Sequence, residues 1–129
     1  MNVYKLMERL RGMLEEFPHA SLKIGLEEAL NPDDYPLLRV VPDRNELDGS
    51  DAWAQDIYFS VYIGDRLDPL SLEAGYKRVY DTQNAIFTKL HNYQFGDGGL
   101  IRFVSSERSE KYPHFLVIRS EFKIESFRL

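Results

Sequence analysis

Between residues 2 and 17, apolar side chains return every three or four positions: Val3, Leu6, Met7, Leu10, Met13, Leu14 and Phe17. That spacing sets them in one stripe of a helix. Asn2 is placed to cap the free amides at the start. Pro18 ends the helix, because the residue before a proline is pushed out of the helical region. Arg9 and Arg11 fall off the stripe and should face water. The period then changes. Leu22, Ile24 and Leu26 alternate with Ser21, Lys23 and Gly25, and a second apolar run covers 37–41 between Pro36 and Pro42. Both read as short strands, and the flanking prolines suggest an edge. The intervening 31–36, rich in Asn, Asp and Pro, is turn chemistry. Residues 43–53 read as a long polar loop that ends at the single tryptophan, Trp53.

The clearest strand is 55–64. Ile57, Phe59, Val61 and Ile63 share one face, the core face; Tyr58, Ser60 and Tyr62 share the other. That second face is amphipathic and suited to being covered by a neighbour. Asp68-Pro69 signals the start of a long helix over 69–91. Its stripe is Leu72, Tyr76, Val79, Gln83, Ile86 and Leu90, flanked by Tyr80 and Phe87. Residues 96–99 (Gly-Asp-Gly-Gly) force a turn. Residues 100–106 and 114–127 predict a closing hairpin with a polar, protruding connection at 106–113. In its second strand Leu116, Ile118, Phe122 and Ile124 point inward, and Arg119, Glu121, Lys123 and Glu125 outward. The element order is α-β-β-β-α-β-β. With no repeat, low-complexity tract or composition break, residues 1–129 form one domain. The fold class is α+β: a two-layer sandwich with two helices on one face of a mainly antiparallel sheet.

Composition narrows the function classes. A chain of 129 residues, 43% apolar and 29% charged, is long enough for a core without cross-links. No cysteine is present, so disulfides, thiolate nucleophiles and Cys-ligated zinc are excluded. The first residues lead straight into a charged helix pattern, not the apolar core of a secretory leader. No run reaches membrane-spanning length, so a cytoplasmic protein is expected. The net charge of −5 is concentrated: residues 27–56 carry nine acids against two bases. That balance argues against direct nucleic-acid binding. It suits either a solvated acidic loop or a patch that meets a basic partner.

Candidate chemistry is thin. His19, His91 and His114 lack metal-ligand spacing, and no nucleophile stands beside a base. The pairs Asp33/Asp34, Asp48/Asp51 and Asp65/Asp68 are explained locally, by a turn, a loop, a strand end and a helix cap. The run Asp48-Gly49-Ser50-Asp51 lacks the spacing of a calcium loop. The glycines at 96–99 precede a strand and no Lys-Ser/Thr, so they fail as a phosphate loop. Tyr58, Tyr62 and Phe103 could stack bases only with a basic surround that is missing. No catalytic residue, metal or cofactor is expected.

The whole-chain layout resembles a known family. An amphipathic helix (Val3 to Phe17) is followed by short strands and the run 56–63, Asp-Ile-Tyr-Phe-Ser-Val-Tyr-Ile. A long helix with Tyr76, Tyr80 and Ile86 comes next, then Gly98-Gly99-Leu100-Ile101 and a hairpin ending in 119–124, Arg-Ser-Glu-Phe-Lys-Ile. This is similar to the tail terminator and tail completion proteins of long-tailed bacteriophages, the minor tail protein U kind, often carried by prophages. The resemblance implies a non-enzymatic virion protein, assembled in the host bacterial cytoplasm, that forms a ring, a hexamer, on the finished tail tube. There it stops tube growth and offers the head-joining surface. Its partners would be other copies of itself, the tail tube protein and a head-completion or connector protein. Ring closure needs two different, complementary patches on each subunit. The candidates are Tyr58 and Tyr62 on the second strand face, Trp53 in the 43–53 loop, and Glu107, Arg108, Glu110 and Lys111 at the last hairpin's tip, facing the tube. Two other readings stay open: a small adaptor or binding domain without a ring, and an enzyme whose site is not legible from sequence.

Overall fold

A computed structural model describes residues 2–47, 54–96, 98–109 and 114–128 of the chain. The order is α1 (Val3–Leu14), β1 (Ser21–Ile24), a 3-10 turn (Pro32–Asp34), β2 (Leu37–Leu47), β3 (Gln55–Arg66), α2 (Leu72–Leu90), β4 (Leu100–Arg108) and β5 (Phe115–Phe127). The strands form one sheet in the order β1-β2-β3-β5-β4. β1 runs parallel to β2, and every other pairing is antiparallel. Both helices pack on the same face, α1 over β1 and β2, α2 over β3, β5 and β4. The α+β sandwich and its element order are those expected from the sequence.

Local chemistry explains the elements. Asn2 Oδ1 accepts the Lys5 amide at 2.8 Å and opens α1. Leu6, Met7, Leu10 and Leu14 are buried beneath that helix. On the sheet, Ile57, Phe59, Val61 and Ile63 of β3 meet Leu116, Ile118, Phe122 and Ile124 of β5 in a single core. Phe59 stacks on Phe122 with centroids 5.5 Å apart, and Phe103 and Phe87 extend the ring cluster edge-on.

Besides α1, which ends at Leu14 with the Glu15 amide bonded to the Gly12 carbonyl rather than running on to Pro18, three boundaries differ from the sequence expectation. β2 does not stop at Pro42 but continues to Leu47, so 43–47 is strand and not loop. A register shift between Pro42 and Arg44 absorbs the missing amide, and β1 pairs β2 only as far as Val40. Residues 48–53 lie outside the described residues. Second, α2 begins at Leu72, three residues after Pro69. Asp68 spends its carboxylate on the Leu70 amide (2.9 Å), and its carbonyl accepts from Ser71 (2.9 Å). Asp68-Pro69 therefore builds a β-turn, with Asp and Pro at its first two positions. Third, β4 extends to Arg108, so Glu107 and Arg108 belong to a strand and not to the connection.

The stripe of α2 also shifts. Gly75, Val79, Ile86 and Leu90 are its buried residues, whereas Leu72, Tyr76 and Tyr80 are exposed. At Gly75 the helix comes close to the end of β3. A Cβ there would lie 3.2 Å from Leu67 and 3.4 Å from the Arg66 carbonyl. This close approach turns Gly75 inward, and positions 72 and 76 rotate out.

Candidate interaction surfaces

The sheet face opposite the helices is where the sequence placed an amphipathic surface. One end of it is covered by the chain's own 25–36 segment. Tyr35, Leu37 and Val117 are buried there, with Leu26, Leu30, Tyr62 and Phe115 packed around them. Tyr35 lies flat on Phe115, centroids 4.3 Å apart. Beneath the same segment Arg39 is fully buried. It donates to Glu27 (3.1 Å), the Ser21 carbonyl (3.1 Å) and hydroxyl (3.0 Å), and the Leu38 carbonyl (2.9 Å). Burial works against ionisation of Glu27, but the hydrogen bond from Arg39, a backbone bond and the Arg39 and Lys23 charges outweigh it and hold its pKa below the usual value. The strand pattern alone does not give the burial of this cation or its partners. Its signal is a lone arginine inside an apolar run.

The middle of that face is a network centred on Arg119. Its guanidinium meets Glu121 at 2.8 Å, Ser60 at 3.0 Å, Asp43 at 3.2 Å and Glu107 at 3.4 Å. Ser60 in turn donates to Asp43 at 2.8 Å. Burial opposes the Arg119 cation, but Asp43, Tyr62 and Glu121 together raise its pKa above the ordinary arginine value. Arg44 lies 3.8 Å over the Tyr58 ring and pairs with Glu46 at 3.1 Å. The register brings these groups together: Glu107 faces Arg119 across β4 and β5, and Tyr58 faces Arg44 across β2 and β3. Charges on this face are spent on one another.

The sequence candidates therefore fall in different places. Tyr62 packs into the small apolar cluster, Tyr58 lies under Arg44, and Glu107 sits in the ion network. Arg108, one residue on, points to the helix side. Its Nη1 donates to the Tyr76 hydroxyl at 3.0 Å. Trp53, Glu110 and Lys111 lie outside the described residues. Sequence reasoning assigned Leu72 and Tyr76 to the core. The structure instead lays Leu72, Tyr76 and Tyr80 along the outside of α2, with Leu70 just before them. Tyr76 and Tyr80 stack 6.5 Å apart.

His91 Nδ1 accepts the Phe103 amide at 3.0 Å, and its ring stacks on Phe87. His19 contacts the Phe17 carbonyl at 2.7 Å. Phe103 pairs with Phe122, whereas His114 precedes Phe115, so His91 and His114 sit toward opposite ends of β5. A cavity of about 240 Å³ between α2 and the end of β3 holds the buried Asp65. Arg78 pairs with that carboxylate at 2.9 Å and the Arg66 amide donates to it at 2.7 Å. Among the described residues no group of three or more His, Asp or Glu side chains is placed to hold a metal ion. Among them, too, no helix is long and apolar enough to cross a membrane.

No known protein family matches the chain, and no curated protein matches its sequence. Its fold is similar to that of a solved chain in the virion of a native gene transfer agent particle. The TM-score is 0.51 and the identity 14%, over 95% of this chain and 90% of that one.

Proposed function

We propose that the protein is a phage-type virion assembly component, a tail terminator that forms a ring on the tail tube, ends its growth and presents the surface the head joins. The observation that supports this reading most is the likeness of fold, end to end, to a chain from a gene transfer agent virion. The chemistry agrees. Asp65 is tied up by Arg78, the Arg119 network is internally paired, and the exposed aromatic residues lie on an outer surface rather than in a cleft. In this reading the chain works by association and carries out no reaction. It needs no cofactor, assembles in the bacterial cytoplasm and ends in the virion. Its partners are further copies of itself, the tube protein and a head-connector protein.

Light scattering on the size-exclusion eluate, with electron microscopy of the protein mixed with tail tubes, tests this. The expected result is a closed oligomer, or a monomer that collects as a cap on tube ends. A strict monomer that leaves tube ends bare would refute it. A partner captured without any closed oligomer would favour an adaptor instead.

A further inference from the structure

β4 lies at the margin of the sheet, and the outer edge of its second half is uncovered. In the first half the segment that follows α2 closes that edge. The Ile101 amide donates to the Tyr93 carbonyl at 2.9 Å, the Ile101 carbonyl accepts the Asn92 amide at 2.8 Å, and the Phe103 amide donates to His91 Nδ1 at 3.0 Å. A register shift between Phe103 and Ser105 then carries the strand past this cover. Beyond it, the Ser109 amide donates to the Val117 carbonyl of β5 at 2.8 Å. Backbone groups alternate between the two edges of a strand, so those of Ser105 and Glu107 also face β5, and those of Ser106 and Arg108 face outward. Residues 104–108 are all exposed, and among the described residues nothing bonds to these outward amides and carbonyls. Beside this open edge, between β4 and α2, is a cavity of about 290 Å³. Phe103, Ser106, Ser120 and Phe122 line it from the sheet, and Asn84 and Phe87 from the helix.

We infer that this edge takes an extended segment of a partner protein, which adds to the sheet as a sixth strand along 104–108 and sets one uncharged, apolar side chain of leucine to phenylalanine size into the cavity. The unpaired backbone fixes the class of occupant. Ser106 and Arg108 offer two amides and two carbonyls in strand register, a pattern that an extended backbone matches and that a helix, a lipid or a small anion does not. The cavity fixes the side chain. Ser106 belongs to both the open edge and the cavity lining, so a strand laid on the edge passes over the cavity. The lining is aromatic and uncharged polar, with the Ser120 hydroxyl already bonded to Gln83 at 3.0 Å, so an apolar residue enters it without stranding a charge. A second copy of this chain fits less well. The other open edge of the sheet, β2 past Val40, begins at Pro42, which has no amide to give. It continues with Asp43 and Arg44, which are engaged by Arg119 and Ser60 and by Glu46. Proline and charge are the usual guards of an edge, and Val104, Ser105 and Ser106 supply neither. A partner strand can add here whether or not the subunit closes a ring.

The test is selection from a displayed library of random nonapeptides, with the full chain as bait and counter-selection on Ser106→Pro. Proline at 106 removes an amide that faces away from β5, so the variant keeps its sheet, and a thermal melt checks that it does. Asn84→Trp is the second variant: the position is exposed on α2, and the indole fills the cavity. Enriched peptides should share an apolar or aromatic residue at one position, with β-branched residues around it, and should bind either variant at least about tenfold more weakly than the wild type. On binding, hydrogen exchange should slow at the Ser106 and Arg108 amides. Peptides that bind both variants as well as the wild type, or that protect amides elsewhere, refute the added strand. So does a library that yields no sequence preferring the wild type. If the wild type self-associates and Ser106→Pro does not, the occupant is a second copy, and the partner segment is overturned.

Discussion

One chemical change, a methyl group added to glycine, should have opposite effects at two positions. Gly12 lies inside α1 on its exposed side, and a Cβ there would meet nothing within 4 Å. Alanine at that site loses less backbone freedom on folding and has the higher helix propensity. Because the residue is near the helix end, Gly12→Ala should stabilise by about 0.5–1 kcal/mol. Gly99 differs in two respects. Its φ is +97°, and an added Cβ would lie 2.7 Å from Phe127 Cδ2 and 3.2 Å from Ile124 Cγ2. The left-handed backbone costs an L-residue about 1–2 kcal/mol. Phe127 is buried, so its ring must shift inside a packed core, for about 1–3 kcal/mol more. For a domain of this size 1 kcal/mol corresponds to about 4 °C in Tm. Thermal melts should therefore show Gly12→Ala about 2–4 °C above the wild type and Gly99→Ala about 8–20 °C below it, with urea titration ranking them the same way. If Gly99→Ala melts with the wild type, the strained turn between α2 and β4 is wrong. If Gly12→Ala is destabilising, so is the open helical placement of that residue.

Two further outcomes follow from the paired charges. Arg119→Met leaves Asp43, Glu107 and Glu121 facing one another without their shared cation; it should cost about 1–3 kcal/mol at low salt in chemical denaturation, and clearly less in about 1 M salt, where the residual repulsion is screened. A cost that does not change with salt would mean that lost packing, not charge, dominates. Glu27→Gln should lower stability by about 1 kcal/mol at neutral pH. Because the folded pKa of Glu27 lies below its ordinary value of 4.5, its contribution is present above that value and fades as pH falls through the lower folded one. The two chains should thus converge in stability at acid pH, and a constant gap down to that range would refute the Arg39–Glu27 coupling.

How much of this was legible in the chain depends on the range of the interaction. Where residues answer only to their own neighbours, the pattern was sufficient. The three- and four-residue spacing that begins at Val3, with Asn2 as cap, specifies the start and the buried face of α1 but not its end, which it set beside Pro18 and the structure sets at Leu14, and the alternation of Ile57, Phe59, Val61 and Ile63 specifies which face of β3 is buried. Periodicity assigns a face; it does not say what lies across from it. That β1 joins β2 in parallel, that β5 slots between β3 and β4, and that Arg119 gathers three carboxylates are matters of pairing between distant segments. The same limit explains the misplaced stripe of α2. Tyr76 and Val79 both satisfy helical spacing, and the close approach of Gly75 to Leu67 and Arg66 decides which one turns inward. The candidate surfaces are of this second kind. Tyr58 and Tyr62 were legible as a face, but Arg44 and the 25–36 segment that cover them were not. An exposed Tyr76 bonded to Arg108 exists because tertiary packing, over a separation of 32 positions, leaves those two side chains outside the core together.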